Sequence, residues 1–340
     1  MPERVSPSRH FLSWSGPALP AAARWLLEYA DDKRDTPGEV PGGDLSGLLV
    51  VVPGGRAQRR LVELLAERAA DRGAALVPPT VVTVGGLADR LMPADAAGPG
   101  VALADEHVAR LTRASVLRDA GARDDGVLAA LFPGTLPGPD DWPGWWSLAR
   151  QVEQLADELG SVGLTPADAS AQEELLSDPR WVAIGKLDTR YHQALATQSK
   201  IDPHAARRDA AQPGGDEASD DTARSDADGP RVVLLAAPDL RPIHTRLLAS
   251  HAASVDVLVF ADADDAAGFD AWGVLRASYW KQRPLPIADD AICMVDSPGD
   301  QASAVLHTLA QWSEDDPIRP DAVTVGLGDA ALGGVVERAL

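Results

Sequence analysis

The stretch Gly47 to Gly73 reads GLLVVVPGGRAQRRLVELLAERAADRG, and its reading decides the fold. Leu48 to Val52 is an unbroken apolar run. A strand so short and so apolar is buried on both faces, as in a parallel sheet. Pro53, Gly54 and Gly55 end it. From Arg56 the period becomes helical: Leu61, Leu65 and Ala69 share one face, and Leu64 flanks it. Strand, glycine turn and helix together make the opening unit of a nucleotide-binding α/β domain. Such a turn offers backbone N–H groups at a helix N-terminus to an anion.

The chemistry of an ATPase loop is nevertheless missing. A phosphate loop reads G-x-x-x-x-G-K-[ST]: glycines let the backbone wrap the phosphates, Lys meets the β- and γ-phosphates, and a hydroxyl meets Mg²⁺. Pro53 to Arg60 contains no Lys, Ser or Thr. Arg56 and Arg60 lie one turn apart on the outer stripe that carries Glu63 and Glu67, and Arg60 reaches Glu63 at i,i+3. Solvated surface is the plainer account of these arginines; an anion site is the alternative.

A chain of 340 residues makes one large domain or two ordinary ones, and 45% hydrophobic content is ample for a core. The formal net charge is −20 and the isoelectric point is about 4.6. That excludes a chain-wide basic face for nucleic acid but leaves room for a local groove. Lys33, Lys186, Lys200 and Lys281 are the only lysines, so nearly all positive charge is arginine. The lone Cys293, in an apolar strand-like run, excludes an intramolecular disulfide, a Cys₄ zinc site and an iron–sulfur cluster held by this chain alone. No apolar run approaches the length of a membrane span, and MPERVSPSRHFLSW has no signal-peptide core. A cytoplasmic location is therefore expected.

Taken in order, Phe11 to Trp14 reads as a short strand and Ala18 to Ala30 as a helix, with a Pro- and Gly-rich loop from Asp31 to Gly47. Val81 to Val84 is a second β-branched strand feeding a helix over Leu87 to Leu91. The period then turns purely helical, over Asp105 to Ala120, Trp142 to Leu159 and Trp181 to Lys200. Trp142, Trp145 and Trp146 share the stripe of the second of these and read as core. His192 has no second ligand at metal-binding spacing on its helix. Gln212 to Pro230, QPGGDEASDDTARSDADGP, reads as an acidic disordered linker. Strands resume at Arg231–Ala237, Val255–Ala261, Ile292–Val295 and Ala322–Leu327, with helices over Pro242–Ala252 and Ala302–Trp312 between them. Asp329 starts a helix inside which the sequence stops, which suggests a fragment of something longer. The expected domains are 1–100 and 230–340 as two parts of one α/β domain, 101–210 as a helical insertion, and 211–229 as linker.

Several stretches resemble one branch of the superfamily 1 helicases: HFLSWSGPALPAAARWLLEYA, LLVVVPGGRAQRRLVELL, LVPPTVVTVGGLADRLMP, DPRWVAIGKLDTRYHQAL with KIDPHAARR, RVVLLAAPDLRPIHTRLL, and VDVLVFADADDAAGFDAWG. In this order they are similar to the N-terminal, helicase-like part of AddB-type proteins, the PD-(D/E)XK nuclease-bearing subunits of bacterial helicase–nuclease complexes. The resemblance implies a P-loop-helicase-like, mainly parallel sheet flanked by helices and interrupted by a helical insertion lobe. It implies DNA double-strand-break repair by homologous recombination, with an AddA-type helicase subunit and DNA ends or single-stranded DNA as partners in the nucleoid. Gly54, Gly55, Arg56 and Arg59 would occupy the degenerate phosphate-loop position. Thr83 and Gly85 would fall where these helicases first contact the single strand. Asp239 would stand near the metal-binding carboxylate pair, although Pro238-Asp239-Leu240 lacks the second acid and fits a turn cap as well.

The departures define the expected activity. A PD-(D/E)XK site needs two carboxylates on Mg²⁺ and a lysine on adjacent strands. Only Asp31-Asp32-Lys33 has the letters, at a helix end entering a loop. The family's nuclease region is therefore absent from this chain, which is expected to use neither Mg²⁺ nor ATP alone. A DNA- and partner-binding module is the first expectation. A small-molecule or nucleotide-binding enzyme on a doubly wound sheet is the alternative, although G-x-G-x-x-G and a nucleophile elbow are both missing.

Overall fold

The computed structural model describes residues 7–32, 42–93, 96–123, 126–211, 231–249, 255–284, 287–315 and 323–339. The expected acidic linker at 211–229 lies, but for its first residue, outside them. Two compact units divide the chain, Met1–Lys281 and Gln282–Leu340.

The first unit is α/β. Its central sheet holds β1 (Ser8–Phe11), β3 (Leu48–Val52), β5 (Thr80–Thr83), β8 (Arg231–Leu235) and β9 (Val255–Val259), in spatial order β1-β9-β8-β3-β5. Every pairing is parallel, with Val50 opposite both Val81 and Val233. The apolar runs are what a sheet covered on both faces requires. Leu49, Val51, Val232, Leu234 and Val257 face one core; Leu48, Val50, Val52, Val233 and Leu235 face the other. α1 (Ala18–Asp32) and α2 (Gly55–Asp71) cover the second face, and α3 (Val84–Leu91) and α10 (Pro242–Ala249) cover the first. Two-stranded parallel pairs, β2 (Gly42–Asp44) with β4 (Ala75–Val77) and β6 (Ala102–Leu103) with β7 (Lys200–Ile201), sit outside the main sheet.

Between β5 and β8 the chain also runs through α4 (Glu106–Arg123), α5 (Val127–Leu131), α6 (Trp142–Ser161), α7 (Pro166–Ser170), α8 (Pro179–Ala196) and α9 (Pro203–Ala210). Ala114, Leu117, Trp145, Ala149 and Leu187 form a core among them, apart from the two sheet cores. Thr165, Asp178 and Asp202 cap α7, α8 and α9, each followed by a proline in the first turn. Proline suits that position because its missing N–H would be unpartnered there anyway. Of the tryptophans on α6, Trp145 is buried, with its indole N–H bonded to the Gly138 carbonyl at 2.9 Å. Trp142 and Trp146 lie nearer the surface, beneath the guanidinium groups of Arg118 and Arg110.

Three strand expectations are corrected. The first strand is Ser8–Phe11 rather than Phe11 to Trp14. Its polar residues join by backbone pairing to β9, and Ser13 turns the chain away with φ 55°. Residues 323–327 and Ile292 to Val295 enter no sheet, and both lie in the second unit; Ala322, the first residue of the expected strand, lies outside the described residues. Apolar content there was read as burial on two faces, yet Met294 is 89% exposed and Ile292, Cys293 and Leu327 also face solvent. In that unit α12 (Pro298–Asp315) packs with α13 (Gly333–Ala339), and Ala302 and Val336 are buried. α11 (Ala277–Trp280) closes the first unit, with Trp280 edge-on to Phe269.

Candidate functional site

From β3 the chain crosses to β5 on one side of the sheet, and from β8 to β9 on the other. The reversal falls between β3 and β8, and ligands of open α/β sheets bind beyond the carboxyl ends of strands at such a point. Most of the residues singled out from the sequence stand there, because β3, β5 and β8 end side by side, with Val52 opposite Thr83 and Val51 opposite Leu234.

Gly54 and Gly55 form a short turn. Only Pro53 and Gly54 separate β3 from α2, and Gln58 N–H already bonds the Gly54 carbonyl at 3.1 Å. Gly54 is extended, with φ −164°, and a Cβ there would meet nothing within 4 Å. A chain this tight has no slack to wrap a phosphate. Gln58 instead ties α2 to the sheet through the Val81 carbonyl at 2.8 Å. Arg56 and Arg59 are exposed and make no ion pair among the described residues, whereas Arg60 is shared by Glu63 and Glu67 at 3.1 Å each.

Thr83 precedes α3 in an extended conformation, and its hydroxyl makes no cap bond. Gly85, in the first turn of α3, lines a cleft of 440 Å³ with Asp239, the residue four positions beyond β8. The structure therefore brings Gly85 and Asp239 to one place and leaves the α2 arginines outside it. Asp239 is exposed, and its carboxylate accepts no hydrogen bond among the described residues, so it does not cap the turn.

The rest of the cleft was not singled out from the sequence. It includes Arg241 and His244 at the start of α10, Asp157 on α6, and His204 and Arg207 on α9. α9 is positioned by Asp202, a buried carboxylate that accepts hydrogen bonds from the backbone N–H groups of His204 (2.8 Å) and Ala205 (3.3 Å). Its other oxygen takes the Tyr191 hydroxyl at 2.7 Å and Arg113 Nη2 at 3.2 Å. Burial works to raise the Asp202 pKa. The Arg113 charge, with His204 and the Tyr191 hydroxyl, outweighs burial and holds it below the ordinary carboxylate value. Burial pushes the Tyr191 phenol up, so it stays a donor.

From that anchor α9 joins its neighbours. His204 Nε2 pairs with Asp157 Oδ1 of α6 at 2.8 Å, and Arg207 Nη2 donates to Asp89 Oδ1 of α3 at 2.6 Å. His244 differs from both. It is 6% exposed, and neither ring nitrogen has a partner among the described residues, with Nδ1 fully buried. Burial, then the charges of Arg241 and Arg207, hold its pKa below the ordinary histidine value, and Asp239 pulls weakly the other way. The imidazole is therefore neutral at pH 7 and carries one ring N–H to donate.

Asp256 is a second buried carboxylate that the sequence reading passed over. It lies at the amino end of β9, bonded to Arg231 at 2.6 Å and His10 at 3.2 Å. That edge is opposite the one that binds ligands in such sheets, and the three residues join strands β1, β8 and β9. Among the described residues no group of three or more His, Cys, Asp or Glu side chains could hold a metal ion, and no helix is long and apolar enough to cross a membrane. No family model matches the sequence, and no curated protein matches it.

Proposed function

We propose that the chain is the non-catalytic, helicase-like module of an AddB-type subunit in DNA double-strand-break repair, binding single-stranded DNA weakly and docking an AddA-type helicase subunit. In this reading the sheet is P-loop-helicase-like, α4 to α9 form the insertion lobe, and the protein works in the cytoplasm at the nucleoid. One observation supports it most: Gly85 and Asp239, picked from separate stretches by their resemblance to helicase positions, line one cleft at the carboxyl edge of the sheet. A nucleic-acid strand crossing that edge would pass the exposed Arg56 and Arg59, which are open to phosphate contacts.

The cleft also favours a second reading, a nucleotide- or small-molecule-binding protein, since 440 Å³ is within the range of ligand pockets. Fluorescence anisotropy with a labelled single-stranded oligonucleotide separates the two. Weak binding that falls steeply with salt, and falls further in Arg56→Ala/Arg59→Ala, supports the DNA module, because each phosphate contact releases a counterion. Affinity that is flat across a salt titration overturns it.

A further inference from the structure

The N-terminus of α3 opens on the cleft beside Gly85, and α10 starts nearby at Arg241. α10 offers little itself: Pro242 has no N–H, and the His244 N–H already bonds the Arg241 carbonyl at 2.9 Å. The first N–H groups of a helix lack intrahelical acceptors, and the aligned peptide dipoles place about half a positive charge there. Gly85 leaves the α3 end uncovered: a Cβ on it would find only Thr83 Oγ1, at 3.9 Å. The buried, unpartnered ring of His244 lines the same cleft.

The charges around it sort simply. Arg207 is held by Asp89, and His204 by Asp157. Arg241 is exposed and without a partner among the described residues, and with Arg207 it balances the Asp157 and Asp239 carboxylates on the cleft wall. The α3 helix end and the unpartnered imidazole of His244 then tip that balance toward an anion. A buried donor without an acceptor is a vacancy for an oxyanion.

We propose that this cleft is a phosphoryl-group site, taking free phosphate or a phosphodiester of a single strand, with the α3 N-terminus, Arg241 and the His244 ring as its donors. It rests on the reading above only for the source of the phosphate. An anion docked there offsets the Arg241 and Arg207 charges that disfavour imidazolium, so binding raises the His244 pKa and tightens as pH falls. Asp239, Asp157 and His204 are the other titrating groups facing it.

The test is long-range ¹H–¹⁵N NMR of the His244 ring in the full chain. It is titrated with inorganic phosphate, then with oligothymidylate, against chloride at matched ionic strength. Saturable His244 shifts with phosphate, an upward move in its titration midpoint, and roughly tenfold weaker binding in Arg241→Gln support the site. Arg241 is exposed, so that variant keeps the fold. Shifts by both probes, with mutual competition, assign the site to the phosphodiester. Shifts by phosphate alone keep the site and count against the DNA module. If the oligonucleotide binds by anisotropy while His244 stays silent to both probes, the proposal fails and the DNA module stands. Silence toward both, without binding, overturns both.

Discussion

Arg231 Nε donates to Asp256 Oδ2 at 2.6 Å across neighbouring strands, and the acceptor side chain is 3% exposed while the donor is 35% exposed. The asymmetry decides which half of the pair matters more. Without Asp256, Arg231 can turn to water. Without Arg231, Asp256 stays buried with His10 as its one remaining side-chain partner among the described residues. Arg231→Ala is expected to lower stability by about 3 kcal/mol, as for removal of one partner from a buried pair. Asp256→Asn, which keeps an acceptor for Arg231, should lose clearly less. Urea unfolding of the three proteins checks this, and a loss under about 1 kcal/mol in Arg231→Ala would show that Asp256 is solvated or protonated.

The glycines divide into two classes that stability measurements can separate. Gly54 and Gly55 meet no steric obstacle, so alanine at either should be neutral or slightly stabilising through lower unfolded-chain entropy. Gly160 and Gly185 are close-approach positions: a Cβ on Gly160 would strike the His204 ring, and one on Gly185 would strike Ser170 Oγ. Gly185→Ala should cost about 1–3 kcal/mol by overpacking α7 against α8. A loss at Gly54→Ala comparable to that at Gly185→Ala would mean that the turn after β3 adopts a second, glycine-dependent shape.

Acid should release the Asp202 anchor. Its folded pKa lies below the unfolded value of about 3.9, so its contribution is present above that value and is lost as pH falls through the folded one. Asp202→Asn leaves Arg113 buried without its counter-ion and should cost about 3 kcal/mol at pH 7. The gap between wild type and variant should narrow below about pH 4. Denaturant unfolding at pH 7, 5 and 3 measures it; a gap that widens toward acid would contradict the assignment of the charge to Asp202.

What could be read in the sequence follows the physics of each signal. Leu48–Val52, Arg231–Leu235 and Val255–Val259 were legible because burial on both faces leaves runs with no polar side chain except Arg231 and Asp256, which pair with each other across strands. The edge strand Ser8–Phe11 was misplaced because an edge needs only backbone pairing, which leaves no apolar signature. Residues 323–327 mimicked a strand because apolarity alone does not specify a partner. At the candidate site, Gly85 and Asp239 were singled out only by resemblance to helicase positions. His244, Arg241 and Arg207 were not, since convergence of α3, α9 and α10 is tertiary. The only local hint was a histidine among Ile243, Leu247 and Leu248, on a face otherwise apolar.

The chain alone is expected neither to hydrolyse ATP nor to cut DNA. Phosphoryl transfer needs a cation on the terminal phosphates, a hydroxyl and a carboxylate for Mg²⁺, and a group that positions water. The turn from β3 into α2 is two residues long and carries no lysine or hydroxyl through Arg60. Arg56 and Arg59 point from an exposed helix face rather than from the cleft that holds Asp239, so the two halves of such a site do not share one place. Losing one positioned electrostatic group costs a hundredfold or more in rate, about 3 kcal/mol, and here several are missing together. Hydrolysis of DNA would need two carboxylates on a metal beside a lysine, and Lys186, Lys200 and Lys281 stand in no such strand pair. Purified protein with Mg²⁺ or Mn²⁺, ATP and linear DNA should therefore match a mock preparation. Turnover above that control, abolished by Asp239→Ala, would mean that Asp239 holds a metal in a working site and that the short turn after β3 opens when nucleotide binds.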